Sequence, residues 1–101
     1  MDVVIEDNPE RSRYEIHVDG ELAGVADYVL EPGTIAHVHT EVASAFARRG
    51  LASRLVRHAL VDARGRDLAV LPYCSFVAHV IASSDEFLDL VPASRHAQFG
   101  L

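Results

Sequence analysis

The hydrophobic period of this chain changes once, between Val42 and Leu51, and that change limits the architectures open to it. Before it, apolar residues alternate, as in Arg13 to Val18, where Tyr14, Ile16 and Val18 share one side of an extended segment. Asp19-Gly20 follows, a pair that tolerates the left-handed backbone of a tight hairpin turn, and leads into a strand over Glu21 to Leu30. Val3 to Glu6 is expected to pair with this hairpin. Pro32-Gly33 makes the next turn. Thr34 to Val42 is then a strand with His37, His39 and Glu41 on one face and Val38, Thr40 and Val42 on the other.

From Gly50 onward the apolar residues Leu51, Leu55, Ala59 and Ala63 recur every turn, with Ala52, Val56 and Leu60 beside them. That stripe predicts an amphipathic helix of about 14 residues, with Arg54, Arg57 and Asp62 outside the stripe and Gly65 at its end. Asp67 to Leu71 reads as a short strand that Pro72 stops. Ser75 to Ala82 reads as a second helix, followed by a helical turn near Asp85 to Asp89 and a loose tail over Arg95 to Leu101. The order describes an α/β (α+β) domain with antiparallel N-terminal strands and a C-terminal parallel βαβ unit, whose crossover is expected to be right-handed.

At 101 residues the chain suits one domain, expected over residues 1–92 with a tail over 93–101. A domain this small has little interior to spare, so a ligand is expected in a groove. The net charge of −6 disfavours non-specific nucleic-acid binding, which relies on Lys and Arg neutralising phosphates. The charge is unevenly spread. Residues 1–31 carry nine acids against Arg11 and Arg13, whereas residues 42–66 carry Arg48, Arg49, Arg54, Arg57, Arg64 and Arg66 against Asp62 alone.

No apolar stretch approaches the ~18 residues that span a bilayer, so no membrane partner is expected. Met1 to Glu6 lacks the basic start and apolar run of a signal peptide, and one Cys forms no internal disulfide, so a cytoplasmic setting is expected.

The segment Ala47-Arg48-Arg49-Gly50-Leu51-Ala52 lies between a strand and a helix. The first backbone N–H groups of a helix lack carbonyl partners and its dipole is positive there, which suits an anion. Gly50 removes a Cβ that would block a phosphate, Ala52 keeps the first turn slim, and Arg48 and Arg49 add positive charge. The alternative is a Gly-initiated helix flanked by solvated arginines. Neither a P-loop nor a dinucleotide fingerprint is present.

Several blocks in order, His39-Thr40-Glu41-Val42, Phe46-Ala47-Arg48-Arg49-Gly50-Leu51-Ala52 with Leu55-Val56, Ala59-Leu60, Pro72 to Val77 and Glu86 to Val91, resemble the small YjdJ-type branch of the GNAT acetyltransferases. The resemblance covers about residues 3–92 and implies a minimal GNAT acyl-CoA N-acyltransferase fold. In it the Thr34–Val42 and Asp67–Leu71 strands splay apart and admit the pantetheine arm of acetyl-CoA, which pairs with backbone near Glu41, Val42 and Ala43. The family's phosphate loop maps onto Ala47 to Ala52, with Arg48, Arg49, Gly50, Leu51, Ala52 and Ser53 as cofactor contacts. Ala47 departs from that loop, standing where the wider superfamily prefers Arg or Gln.

The resemblance also places Cys74 close to the cofactor sulfur. Its role there is proton donor, acetyl-accepting nucleophile or small packing residue, and a helix start beside it favours thiolate. His39 and Glu41 are candidate bases for deprotonating an amine. The alternative for both is a polar outer strand face, with His39 packed on the hairpin. Phe76 and Phe46 are core or cofactor-packing residues. The family's His-Pro-Glu-Tyr appears as Ser84-Asp85-Glu86-Phe87, so Phe87 keeps a ring without the hydroxyl of an acid.

His37, His39 and Glu41 do not make a metal site, because alternate residues of one strand lie ~6.5 to 7 Å apart and no second cluster is visible in sequence; no metal is expected. The expected function is acetyl-CoA-dependent N-acetylation of a primary amine by direct transfer in a ternary complex. The acidic N-terminal region would draw in a cationic acceptor. The alternative is a CoA- or acyl-CoA-binding module with little turnover, and a third reading is a partner-binding domain that has lost its cofactor. A monomer or small homo-oligomer is expected.

Overall fold

The computed structural model describes all residues from Met1 to Leu101. Five strands, β1 (Val3–Asn8), β2 (Arg13–Val18), β3 (Glu21–Glu31), β4 (Thr34–Val42) and β5 (Ala69–Pro72), form one sheet in sequence order. The first four pair antiparallel and β4 pairs β5 in parallel. The crossover between them is helix α1 (Leu51–Gly65), and helix α2 (Ser75–Ala82) follows β5. No helix is long and apolar enough to cross a membrane.

The mixed sheet expected from the period change is present. Asp19 and Gly20 adopt φ of 50° and 84°, the left-handed turn their side chains permit. The α1 stripe buries Leu51, Leu55, Val56, Ala59, Leu60 and Ala63 against Tyr14, Ile16, Ala26, Ile35 and Val70 of the sheet. Val77, Val80 and Ile81 of α2 join the same core, so one face of the sheet is covered and the other faces water.

Three expectations need correction. The strand before α2 starts at Ala69, because Asp67 takes a left-handed φ of 55° that a strand cannot contain. The helical turn after α2 falls at Leu88–Leu90. Residues 93–101 are not a loose tail: they form two 3-10 turns, Arg95 donates to the Tyr73 hydroxyl at 3.0 Å, and Phe99 packs edge-on to the Tyr73 ring at 5.2 Å.

The expected alternation along β4 also fails, at Val38. Asp27 pairs with His39 while Tyr28 pairs with His37, so Val38 is an extra residue, a β-bulge. Beyond it the facing inverts. Thr40 lies opposite buried Ala26 and Val42 opposite buried Gly24, on the helix-covered side with His37, whereas His39 and Glu41 face out with Asp27 and Val25.

Candidate active site

β4 and β5 stay in register from Thr34 and Ala69 to His37 and Pro72, and then part. The last tie across them is the Cys74 backbone N–H, which donates to the His37 carbonyl at 2.8 Å. From Val38 to Val42 the β5 side of β4 has no strand partner. That free edge offers backbone donors and acceptors to an extended ligand, the way an added strand binds.

The loop from β4 to α1 begins at the same end of the sheet. It passes through a 3-10 turn at Ser44–Phe46, and Gly50 caps α1 with φ of +72° and no side-chain hydrogen bond. Arg48 is left-handed too, at φ of 65°. The first turn of α1 thus presents its amides with no side chain competing for them. A Cβ on Gly50 would meet nothing within 4 Å, so the glycine is required by its φ and the space before it stays open for a phosphate. Leu51 offers only its backbone, since its side chain is 2% exposed in the core. Ser53 is exposed and Ala52 half-buried in the first turn.

The basic middle of the sequence divides in the fold. Arg57 pairs with Glu86 at 2.5 Å, Arg64 with Asp89 at 2.8 Å, and Arg66 with Asp62 and Asp7 at 3.3 and 3.6 Å. Arg48, Arg49 and Arg54, nearest the start of α1, have no acidic partner, and Arg49 lies over the Phe46 ring at 5.6 Å. Positive charge is therefore left where the helix dipole is also positive, which suits a pyrophosphate.

Cys74 is the residue before α2, half-buried and free, with Sγ 3.5 Å from the Thr40 hydroxyl across the strand gap. Thr40 was not among the residues singled out in sequence, because regular alternation turns it away from this gap and nothing local marks the bulge. His39 and Glu41 are exposed on the other face, and neither side chain makes a hydrogen bond or ion pair. The candidates therefore fall into two sets, Cys74 with Thr40 on the helix side of the gap and His39 with Glu41 on the open side. Val42 is half-buried and Ala43 exposed at the end of β4, where the Ala43 N–H donates to the Ala23 carbonyl at 2.8 Å.

Phe76, in the first turn of α2, is half-buried against the core, and Phe87 is fully buried beneath the Arg57 guanidinium at 5.2 Å. The ring at 87 is thus a packing group. His37 is 1% exposed and neither ring nitrogen has a partner; burial lowers its pKa to about 4, so the ring is neutral near pH 7. Neither cavity is lined by Thr40 or Cys74. One of about 340 Å³ sits among Arg64, Leu68, Asp89 and Leu90, and one of about 390 Å³ lies between α2 and the chain end, at Tyr73, Ser75, His79 and Phe99.

A mixed sheet that opens between two parallel strands beside an uncapped, glycine-initiated helix is the arrangement that the resemblance to the GNAT acetyltransferases implies. Residues 13–90 match the family model described as GCN5-related N-acetyl-transferase, and the chain belongs to that family. Its members are enzymes that transfer acetyl from acetyl-CoA.

Solved structures show the same fold. A GCN5-like putative N-acetyltransferase from Staphylococcus aureus superposes with a TM-score of 0.67 at 20% identity, over 88% of this chain and 87% of that one. N-acetylglutamate synthase from Neisseria gonorrhoeae, complexed with coenzyme A and N-acetyl-glutamate, gives 0.57 at 18% identity, over 97% of this chain and 26% of that one. Ribosomal-protein-alanine N-acetyltransferase from Brucella melitensis biovar Abortus 2308 gives 0.51 at 23% identity, over 59% and 45%. No curated protein matches the sequence.

Proposed function

We propose that this protein, a minimal member resembling the YjdJ-type branch, acetylates a primary amine at the gap between β4 and β5. The observation that carries this reading is the parting of the strands just beyond the His37–Cys74 bond, with the open Gly50 loop at the same end of the sheet. The residues fit acetyl-CoA: the amides of Leu51, Ala52 and Ser53 with Arg48, Arg49 and Arg54 suit its pyrophosphate, and the free edge of β4 suits its pantetheine. The cofactor supplies an acetyl group activated as a thioester.

Glu41 and His39, on the open side of β4, hold the carboxylate and imidazole that take the proton from an arriving ammonium group. Cys74 holds its proton on Sγ inside the gap, oriented by the Thr40 hydroxyl, as the acid on the leaving side. Base and acid stand on opposite faces of the sheet and approach the gap from its two sides. Phe87 has no proton to give and is buried, so its ring does not supply the acid.

The second reading is a CoA-binding module with little turnover. Neither Thr40 nor Cys74 lines a cavity, which favours it. Acetyl-CoA-dependent thiol release measured across a panel of primary amines separates the two. Amine-dependent release is expected; tight CoA binding without it selects the module.

A further inference from the structure

The open face of the sheet carries a group of side chains that acetyl transfer does not use. Glu6 on β1 stands directly opposite Glu15 on β2, and His17 lies two residues further along β2, so the three share one face. One ligand atom from each lies within 4.8 Å of the others. Glu15 and His17 stand two residues apart on β2 with Oε1 and Nε2 3.8 Å from each other, and the opposite strand supplies Glu6.

Glu15 is the unusual member. It is 8% exposed although it belongs to the uncovered face, and a carboxylate so withdrawn from water requires partners for its oxygens. Oε2 accepts from Arg13 Nε at 2.8 Å and from Asn8 Nδ2 at 3.1 Å. Oε1 accepts no hydrogen bond and faces His17 Nε2 at 3.8 Å. Arg13 and Asn8 thus hold the group as outer partners hold a ligating carboxylate, with its second oxygen aimed at the other two ligands.

We infer that Glu6, Glu15 and His17 bind a divalent cation of the zinc class. Two carboxylate oxygens and an imidazole nitrogen suit Zn²⁺, Co²⁺ or Ni²⁺ better than Ca²⁺ or Mg²⁺, which call for more oxygen ligands. Metal–ligand distances of ~2.0 to 2.2 Å place tetrahedral donors roughly 3.4 Å apart, within reach of a rotamer change at exposed Glu6. The fourth position is left to water. The ion ties edge strand β1 to β2.

The test is calorimetric titration of Zn²⁺ into the full chain near pH 7.5, with Co²⁺ absorption as a check on geometry. One equivalent of Zn²⁺ is expected, with a rise in Tm because the ion binds only the folded state. Glu6→Gln and His17→Asn, verified as folded by circular dichroism, should each weaken binding at least tenfold and remove the Tm rise. Cys74→Ala and His79→Ala, remote from the cluster, should bind Zn²⁺ as the parent does. Absence of saturable binding overturns the site. So does binding that survives both Glu6→Gln and His17→Asn, or that is lost in Cys74→Ala.

Discussion

The Cys74 N–H and the His37 carbonyl meet at 2.8 Å, at the point where β4 and β5 stop pairing. The bond anchors the start of α2 to β4, the strand that pairs in parallel with β5. Beyond it, the bulge at Val38 carries β4 away with Thr40 turned towards the Cys74 thiol. The gap, the thiol and its hydroxyl neighbour therefore depend on one local geometry. The His37 ring, meanwhile, lies in the core with two unpaired nitrogens.

That ring makes stability depend on pH. The unfolded imidazole takes a proton near 6.5 and the folded one resists it down to about 4, so the unfolded state binds more protons between those values. The contribution is fully present above pH 6.5 and is lost as pH falls through the window, by about 3 kcal/mol. Urea unfolding at pH 7 and pH 4.5 should show the loss. His37→Leu should abolish most of it, and an unchanged slope in that variant would assign the effect to other groups.

Cys74→Ala should lower kcat by about 10²-fold or more, the usual scale for a positioned acid, while leaving CoA affinity within about threefold. Thr40→Val should lower kcat less. Steady-state thiol release and calorimetry read the two quantities. A fully active Cys74→Ala protein would remove the thiol from the chemistry. Direct transfer further predicts an unshifted intact mass after incubation with acetyl-CoA alone.

Gly50→Ala and Gly50→Asp share the cost of a left-handed φ, about 1 to 2 kcal/mol of stability. Only Asp adds negative charge where the first amides of α1 point. CoA affinity should fall at least tenfold more for Asp than for Ala, by isothermal titration. Equal affinities would mean that the pyrophosphate lies elsewhere.

Gly24→Ala tests the close approach of β3 to β4. A Cβ there would stand 2.8 Å from the Glu41 carbonyl oxygen and 3.0 Å from Val42 Cγ2. Overpacking of this kind costs about 1 to 3 kcal/mol. Urea unfolding should show that loss, and the CoA-induced rise in Tm should shrink, because Glu41 and Val42 belong to the free edge of β4.

The strands, both helices and the Gly50 loop were legible in the sequence, because alternation, the 3.6-residue stripe and the φ needs of Asp19-Gly20 and Gly50 act within a few residues. So were Cys74, Glu41 and His39 as candidate groups, through the order of the blocks that resemble the family. Their grouping was not. Val38 fits regular alternation as well as it fits a bulge, and only pairing with Asp27 and Tyr28 decides which side His39, Thr40 and Glu41 face.

The charge pattern divides the same way. Sequence showed a basic middle segment, but which arginines remain free was settled by Glu86, Asp89 and Asp7, brought from far along the chain. The docked residues 93–101 and the approach of Glu6 to Glu15 also belong to tertiary structure. Local backbone preference and periodicity determined what elements this chain makes. Strand register and long-range packing, which no short window contains, decided which side chains meet.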